Sequence, residues 1–210
     1  PYRRQRQMCI RDSYYRICFC KDNLLLTLQR KRTEEIMELS NIIAVAQGRC
    51  IYNKVEIPAD YVEQVLTAAL YAIKGKPGCT CELYVTDKRL DMERLADACE
   101  QGRGESIKEA PLLIAVVADA VRDTDLEEHS ASVVSTICSQ AAALGLAACQ
   151  VMIRGHYLTD GEKCEDAVRG ILDIQEGETV YAVIGLGYAE TSVDACSDED
   201  LEWDRIHIKE

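Results

Sequence analysis

Apolar residues recur at helical spacing from Ser130 onwards, and residues 130–153 carry no charged side chain in a protein whose residues are 29% charged. In the first half of this stretch the apolar residues lie three and four positions apart, which places them on one face of a helix. They are Val133, Val134, Ile137, Cys138, Ala141 and Leu144. Gly145 can adopt the left-handed conformation that ends helices, and residues 147–153 are a short apolar run. We therefore predict a central helix followed by a buried strand.

Two other interpretations of residues 130–153 are open. The stretch is long enough for a membrane span, which takes about 20 apolar residues. However, seven of its side chains are Ser, Thr or Gln, and no Lys/Arg cluster flanks one end. The third interpretation is a hydrophobic run with no special role. The spacing favours the buried helix and strand, and we expect no membrane partner.

Further helices are predicted where apolar residues recur at helical spacing behind a starting signal. Thr33 precedes one such pattern, and Pro58 stands near the first turn of a second, as is typical of helix starts. Shorter helices are predicted around residues 92–99 and over residues 164–172. The helix that begins near Pro58 should bury one apolar face, formed by Val62, Val65, Leu66, Ala69 and Leu70.

Strands are predicted at ELYVT (82–86), LLIAVVAD (112–119) and ETVYAVIG (178–185). The last two are apolar on both faces, which is typical of central strands covered on each side. A weaker alternation at residues 203–209, with Ile206 and Ile208, predicts one more strand. Helices and strands mix without strict alternation, which indicates an α+β domain with three layers, α-β-α.

Charge separates the first residues from the remainder of the chain. The net charge is −12, yet residues 1–32 carry nine Lys/Arg against Asp12 and Asp22. The acidic remainder argues against nucleic acid as a partner, because phosphate binding needs clustered Lys/Arg. A basic tail or an interrupted signal peptide are possible interpretations of residues 1–32. Because Met8–Ser13 (MCIRDS) resembles translated adaptor sequence, we expect residues 1–32 to lie outside the native domain, which then spans 33–210.

No constellation of side chains predicts catalysis or metal binding. The three histidines are far apart in sequence, and no nucleophile elbow, metalloprotease motif or phosphate loop is present. Eleven cysteines include the CxC pairs Cys18/Cys20 and Cys79/Cys81, whereas structural zinc sites usually show CxxC pairs. We therefore predict no catalytic acid or base, no metal site, and reduced thiols in a cytoplasmic protein.

Three segments together resemble the FMN-dependent nitroreductase family. ALGLAACQVMIRG is similar to the family pattern LGLGSCWxQIR, and AVRGILDIQEGETVYAVIGLGYAE is similar to its helix ending LxIPE and strand ending GYP. The final DEDLEWDRIHIKE is similar to the family tail D-x-x-x-L-x-x-x-x-V-H-x-E-K. The resemblance covers about residues 34–209.

The resemblance implies an FMN-binding homodimer with a mixed, mostly antiparallel central sheet, and a C-terminal strand exchanged between subunits. Hydride would pass from NAD(P)H through FMN to a nitroaromatic, a quinone or a similar acceptor. In such enzymes the flavin carries the redox chemistry and the protein orients it. No catalytic side chain is then required.

The resemblance also implies which residues contact the cofactor. They are Gln47, Gly48, Arg49, Lys74, Gly75, Ile153, Arg154, Gly187 and Lys209. The family's phosphate signature, Arg-Arg-Ser-x-Arg, corresponds here to AQGRC (46–50), so Arg49, Lys54, Lys74 and Lys76 are the alternative phosphate partners.

Two further hypotheses about function remain open. One is a homodimer that has lost FMN and acts as a binding or structural protein, and the other is a thiol-based or metal-binding role for the cysteines.

Overall fold

A computed structural model describes residues 51–100, 103–190 and 202–208. The helix predicted after Thr33 and the domain boundary predicted at residue 32 lie outside these ranges. The described helices are α1 (Ala59–Lys74), α2 (Arg89–Asp97), α3 (Leu126–Ala143) and α4 (Cys164–Ile171). The strands are β1 (Glu82–Thr86), β2 (Leu112–Asp119), β3 (Ala147–Met152) and β4 (Glu178–Gly187), and short 3-10 turns occur at Gly104–Ser106 and Trp203–Arg205.

The four strands form one sheet in the order β1-β2-β4-β3. Every pairing between the described strands is antiparallel, which agrees with the mostly antiparallel central sheet that we expected. The two central strands are buried over almost their full length, because both of their faces are covered by helices. The predicted α+β class is confirmed.

Two apolar clusters lie on opposite faces of the sheet and make the three layers. Alternate side chains of β2 point to opposite faces: Leu113 belongs to one cluster and Ile114 to the other. Helices α1 and α3 cover the Ile114 face, with Val65 and Ile137 fully buried there. Helices α2 and α4 cover the Leu113 face.

Helix α3 ends as the sequence predicts. Gly145 has a φ of +74°, and its amide donates to Ala142 O at 3.0 Å. The Leu146 amide donates to Ala141 O at 2.9 Å. These two hydrogen bonds form a Schellman motif, which satisfies the last carbonyls of the helix and turns the chain into β3.

We expect Gly145→Ala to lower the free energy of unfolding by about 1 kcal/mol, because an L side chain is strained at positive φ. A Cβ at this position meets no atom within 4 Å, so the cost is backbone strain alone. Denaturation in urea measures it. Gly145→Asn is the control and should cost less, since Asn tolerates this conformation; equal losses for both variants would contradict the explanation.

Two details of the predicted elements are wrong. Leu70 was expected in the buried face of α1 but is 58% exposed, because the buried face is centred on Val65 and Ala69. Residues 203–208 do not form the expected strand: Trp203–Arg205 is a 3-10 turn, and the side chains of Ile206 and Ile208 are exposed. An alternating segment becomes a strand only where a neighbouring strand accepts its backbone hydrogen bonds, and none of the described strands pairs with it.

Among the described residues, none of the helices combines the length and apolarity needed to cross a membrane.

Candidate functional site

Several of the residues that the resemblance implies lie at one end of the sheet. At this end, Asp119 closes β2 and pairs with Glu178 at the start of β4, and β3 finishes at Met152 beside Ala182. Ile153 and Arg154 follow β3 directly. The loop after α1 reaches the same end, since the Thr80 hydroxyl accepts the Asp119 amide at 3.0 Å. We call this the Arg154 end of the sheet.

Gly187 lies at the opposite end. It pairs with Ala147 at the start of β3, five positions along β4 from Ala182, or roughly 17 Å at the usual rise of a strand. A Cβ on Gly187 would lie 2.6 Å from Pro111 Cδ and 2.6 Å from Tyr52 Cδ1. The lack of a side chain at Gly187 therefore allows close packing, and the structure does not bring this residue to Arg154.

A β-bulge fixes the backbone of Ile153 and Arg154. Opposite Val116 and Val117 of β2, the paired residues of β4 are Ala182 and Val180, so Tyr181 between them is the extra residue. The Tyr181 carbonyl accepts the amides of Ile153 at 3.0 Å and Arg154 at 3.2 Å. Bulges of this kind redirect a chain at the end of a sheet and are frequent beside functional sites. Ile153 is fully buried, so it contributes its backbone and packing.

The Arg154 guanidinium has an unused donor. Its Nη1 lies 3.0 Å from Glu127 Oε1, which is close enough for an ion pair. The same nitrogen is buried and has no hydrogen-bond acceptor, because its N–H bonds are not directed at the carboxylate. An N–H donates only along its own direction, so the short distance from Nη1 to Oε1 does not make a hydrogen bond. A buried donor without an acceptor costs stability, and a ligand oxygen would remove that cost.

The last residue of α1 and the loop after it add two lysines to this end of the sheet, but the backbone amide of Gly75 is already used. Lys74 is exposed and Lys76 is half-buried, and neither is paired with a carboxylate among the described residues. The Gly75 amide already donates to Tyr71 O at 2.9 Å, where it ends the helix. Gly75 therefore has no free amide for a ligand. Gln47, Gly48, Arg49 and Lys209 lie outside the described residues.

The sequence did not indicate a polar cluster around Asp123 at this end of the sheet. The Asp123 carboxylate accepts the amides of Thr80 at 3.0 Å and Asp125 at 3.1 Å. It also lies 2.8 Å and 3.0 Å from His129 Nδ1. Burial alone would raise the pKa of Asp123, but these hydrogen bonds outweigh burial and lower it. The sequence shows that Asp123 and His129 are six residues apart. It does not show that Thr80, 43 positions before Asp123, contacts the same carboxylate.

The described cysteines are all free thiols, and most are buried. Burial raises the pKa of Cys99 to about 12 and that of Cys138 to about 11. Such thiols stay protonated near neutral pH and pack as small apolar side chains. The half-buried Cys79 differs, because it lies beside the Asp123 cluster.

Comparison with solved structures places this architecture among known folds. An FMN-dependent nitroreductase from Clostridium difficile R20291 is similar with a TM-score of 0.72 and 28% identity, over 80% of this chain and 98% of that one. The chain has the nitroreductase fold. A nitroreductase with bound FMN from Bacteroides fragilis NCTC 9343 gives a TM-score of 0.65 and 22% identity, over 83% of this chain and 100% of that one.

A more distant nitroreductase-fold neighbour is the NADPH:FMN oxidoreductase from Vibrio harveyi in complex with NAD+. Its TM-score is 0.63 and its identity 14%, over 82% of this chain and 77% of that one. No protein-family model matches the sequence, and no curated protein does. The resemblance to the nitroreductase family that the sequence indicated is confirmed by the solved structures.

Proposed function

We propose that this protein is a flavin-dependent oxidoreductase that binds FMN and takes hydride from NAD(P)H. The acceptor would be a nitroaromatic, a quinone or a similar small molecule. The observation that carries the proposal is the similarity to an FMN-dependent nitroreductase at 28% identity, over 98% of that protein. The NADPH:FMN oxidoreductase with bound NAD+ supports a nicotinamide nucleotide as the hydride donor.

The Arg154 end of the sheet has the donors that such a cofactor needs. A flavin presents carbonyl oxygens and a phosphate with close to two negative charges near neutral pH. Arg154 Nη1 is a buried donor without an acceptor, and Lys74 and Lys76 carry unpaired charge on the neighbouring loop among the described residues. Among the residues that the structure describes, these three side chains are the candidates to hold FMN. Arg49 and Lys209, which lie outside the described ranges, are further candidates.

FMN, when bound, supplies the two-electron chemistry, and the protein positions it. Here the Tyr181 carbonyl fixes the Ile153 and Arg154 backbone through two hydrogen bonds. Arg154 would donate to a cofactor oxygen, and the buried Ile153 side chain would keep water from the sheet end. None of these roles needs a catalytic acid or base from the protein.

We also propose a homodimer. Apolar side chains are exposed in the C-terminal segment, where Trp203 is 43% and Ile208 65% exposed. On α1, Leu70 and Tyr71 are exposed as well. Large exposed apolar side chains that form a patch are typical of surfaces that a partner covers. Exchange of the C-terminal segment between two subunits would bury them.

The absorption spectrum of the purified protein tests the flavin proposal. We expect visible flavin absorbance that is released on denaturation, and tight binding when FMN is added to stripped protein. Oxidation of NADH or NADPH should then depend on an added quinone. A colourless protein that does not take up FMN would instead support the alternative, a homodimer with this fold that binds or scaffolds without a cofactor.

We expect Arg154→Gln to weaken FMN binding about tenfold, because one charge-assisted hydrogen bond to an acceptor oxygen is lost. Quenching of FMN fluorescence on titration with stripped protein measures the affinity. Arg89→Gln is the matched control. Arg89 lies on α2, which covers the Leu113 face of the sheet, and it pairs with Glu93 and Glu109. Equal affinity for wild type and Arg154→Gln would remove Arg154 from the site.

A further inference from the structure

Three potential metal ligands meet at the Arg154 end of the sheet. One ligand atom from each of Cys79, Asp123 and His129 lies within 4.8 Å of the other two. Cys79 belongs to the loop before β1, whereas Asp123 and His129 lie just before and within the first turns of α3. Asp123 and His129 are buried and Cys79 is half-buried. Cys79 is therefore the most exposed of the three ligands.

Hydrogen bonding explains only part of this group. The Asp123 carboxylate needs the Thr80 amide and His129 Nδ1 as partners, because a buried charge must be compensated. Nothing in that network requires a sulfur atom, yet the Cys79 thiol lies beside it. A second thiol follows two positions later: Cys81 Sγ lies 3.6 Å from Ser130 Oγ.

The three groups have the chemistry of a borderline divalent cation. Zinc takes thiolate, imidazole and carboxylate ligands at about 2.0–2.3 Å in a tetrahedral arrangement. Ligand atoms around such an ion lie roughly 3.3–3.6 Å apart, by the geometry of those bonds. His129 Nδ1 and the Asp123 oxygens, at 2.8 and 3.0 Å, need to separate by a few tenths of an ångström. Cys79 needs to approach, and it follows Gly78, whose φ of +82° marks a turn in the loop.

We propose that Cys79, Asp123 and His129 bind a zinc-class divalent cation, with the Cys81 thiol, two residues along the same loop, as the candidate fourth ligand. The cation would lie between His129 Nδ1 and Asp123, with the proton of the neutral imidazole moved to Nε2, and Cys79 would bind as thiolate and release its proton to solvent. Asp123 and the thiolate together balance the two positive charges. The site would tie the loop before β1 to the start of α3. It does not depend on flavin.

Metal uptake by the full, reduced chain tests this site directly. Protein stripped with chelator is titrated with Zn²⁺ in competition with a chromophoric chelator, and with Co²⁺ as a spectroscopic probe. We expect one tight equivalent that Cys79→Ser and His129→Gln each weaken at least tenfold. The Co²⁺ protein should show thiolate charge-transfer absorbance, with the intensity of two thiolates if Cys81 is the fourth ligand and of one if it is not.

Two matched controls separate this site from the other cysteines. The variant C18S/C20S removes the other CxC pair, and Cys164→Ser removes a buried thiol on α4; both should leave the equivalent in place. Alkylation followed by mass spectrometry gives a second measurement that needs no variant, since bound Zn²⁺ should protect Cys79. The proposal is overturned if the wild type takes up no Zn²⁺, if Cys79→Ser binds it as tightly as wild type, or if Cys79 is alkylated equally with and without Zn²⁺.

Discussion

Gly104→Ala should lower the free energy of unfolding by about 3 kcal/mol, at the upper end of the range for overpacking. Gly104 is buried in the 3-10 turn that follows α2. A Cβ at this position would lie 2.6 Å from Ala96 C and 2.8 Å from Ala96 Cα. These are backbone atoms, and α2 cannot move away freely because Met92 and Leu95 anchor it in the core. Urea denaturation measures the loss.

Gly170→Ala is the matched control for this prediction. Gly170 lies inside α4 and is exposed, and a Cβ there would meet no atom within 4 Å. Alanine favours the helix over glycine by roughly 0.5–1 kcal/mol, so this variant should be slightly more stable than wild type. A Gly104→Ala protein as stable as Gly170→Ala would show that the turn at Gly104 does not pack against the backbone of Ala96.

The local parts of the fold could be predicted from the sequence. Strands β1 and β2 have the expected bounds, since ELYVT and LLIAVVAD are apolar runs between clear breaks. The end of α3 at Gly145 was also expected, because the signal for a Schellman motif is contained in a few adjacent residues. Each of these features depends on interactions between neighbours in the chain.

Features that join distant segments could not be predicted. The bulge at Tyr181 arises from the register between β2 and β4, and register is not encoded in either strand alone. Thr80 and Asp123 are 43 positions apart. The candidate site shows the same limit: Arg154 and Lys74 share one end of the sheet, whereas Gly187, taken from the same resemblance, lies at the other. A family pattern gives residue identities, but the strand directions decide which residues meet.

Asp123→Asn should lower the free energy of unfolding by about 3 kcal/mol at neutral pH, because several hydrogen bonds to a buried charge are weakened together. The carboxylate joins the loop before β1 to the start of α3 through Thr80 and His129. An amide presents one acceptor oxygen where the carboxylate presents two. Asp125→Asn is the control: it makes the same change two residues away at an exposed position without a side-chain cap, so it should cost less than about 0.5 kcal/mol. Chelator in both samples excludes a contribution from bound metal.

The pH dependence of this difference tests the electrostatic part of the explanation. Hydrogen bonds lower the pKa of Asp123 in the folded protein below its ordinary value of 3.8. A carboxyl group with a lowered folded pKa stabilises the protein fully above its unfolded pKa, and this contribution is lost as the pH falls through the folded pKa. The gap between wild type and Asp123→Asn should therefore be widest near neutral pH and narrow below pH 3.8. A gap of constant size down to strongly acidic pH would mean that Asp123 stabilises the loop by shape and not by charge.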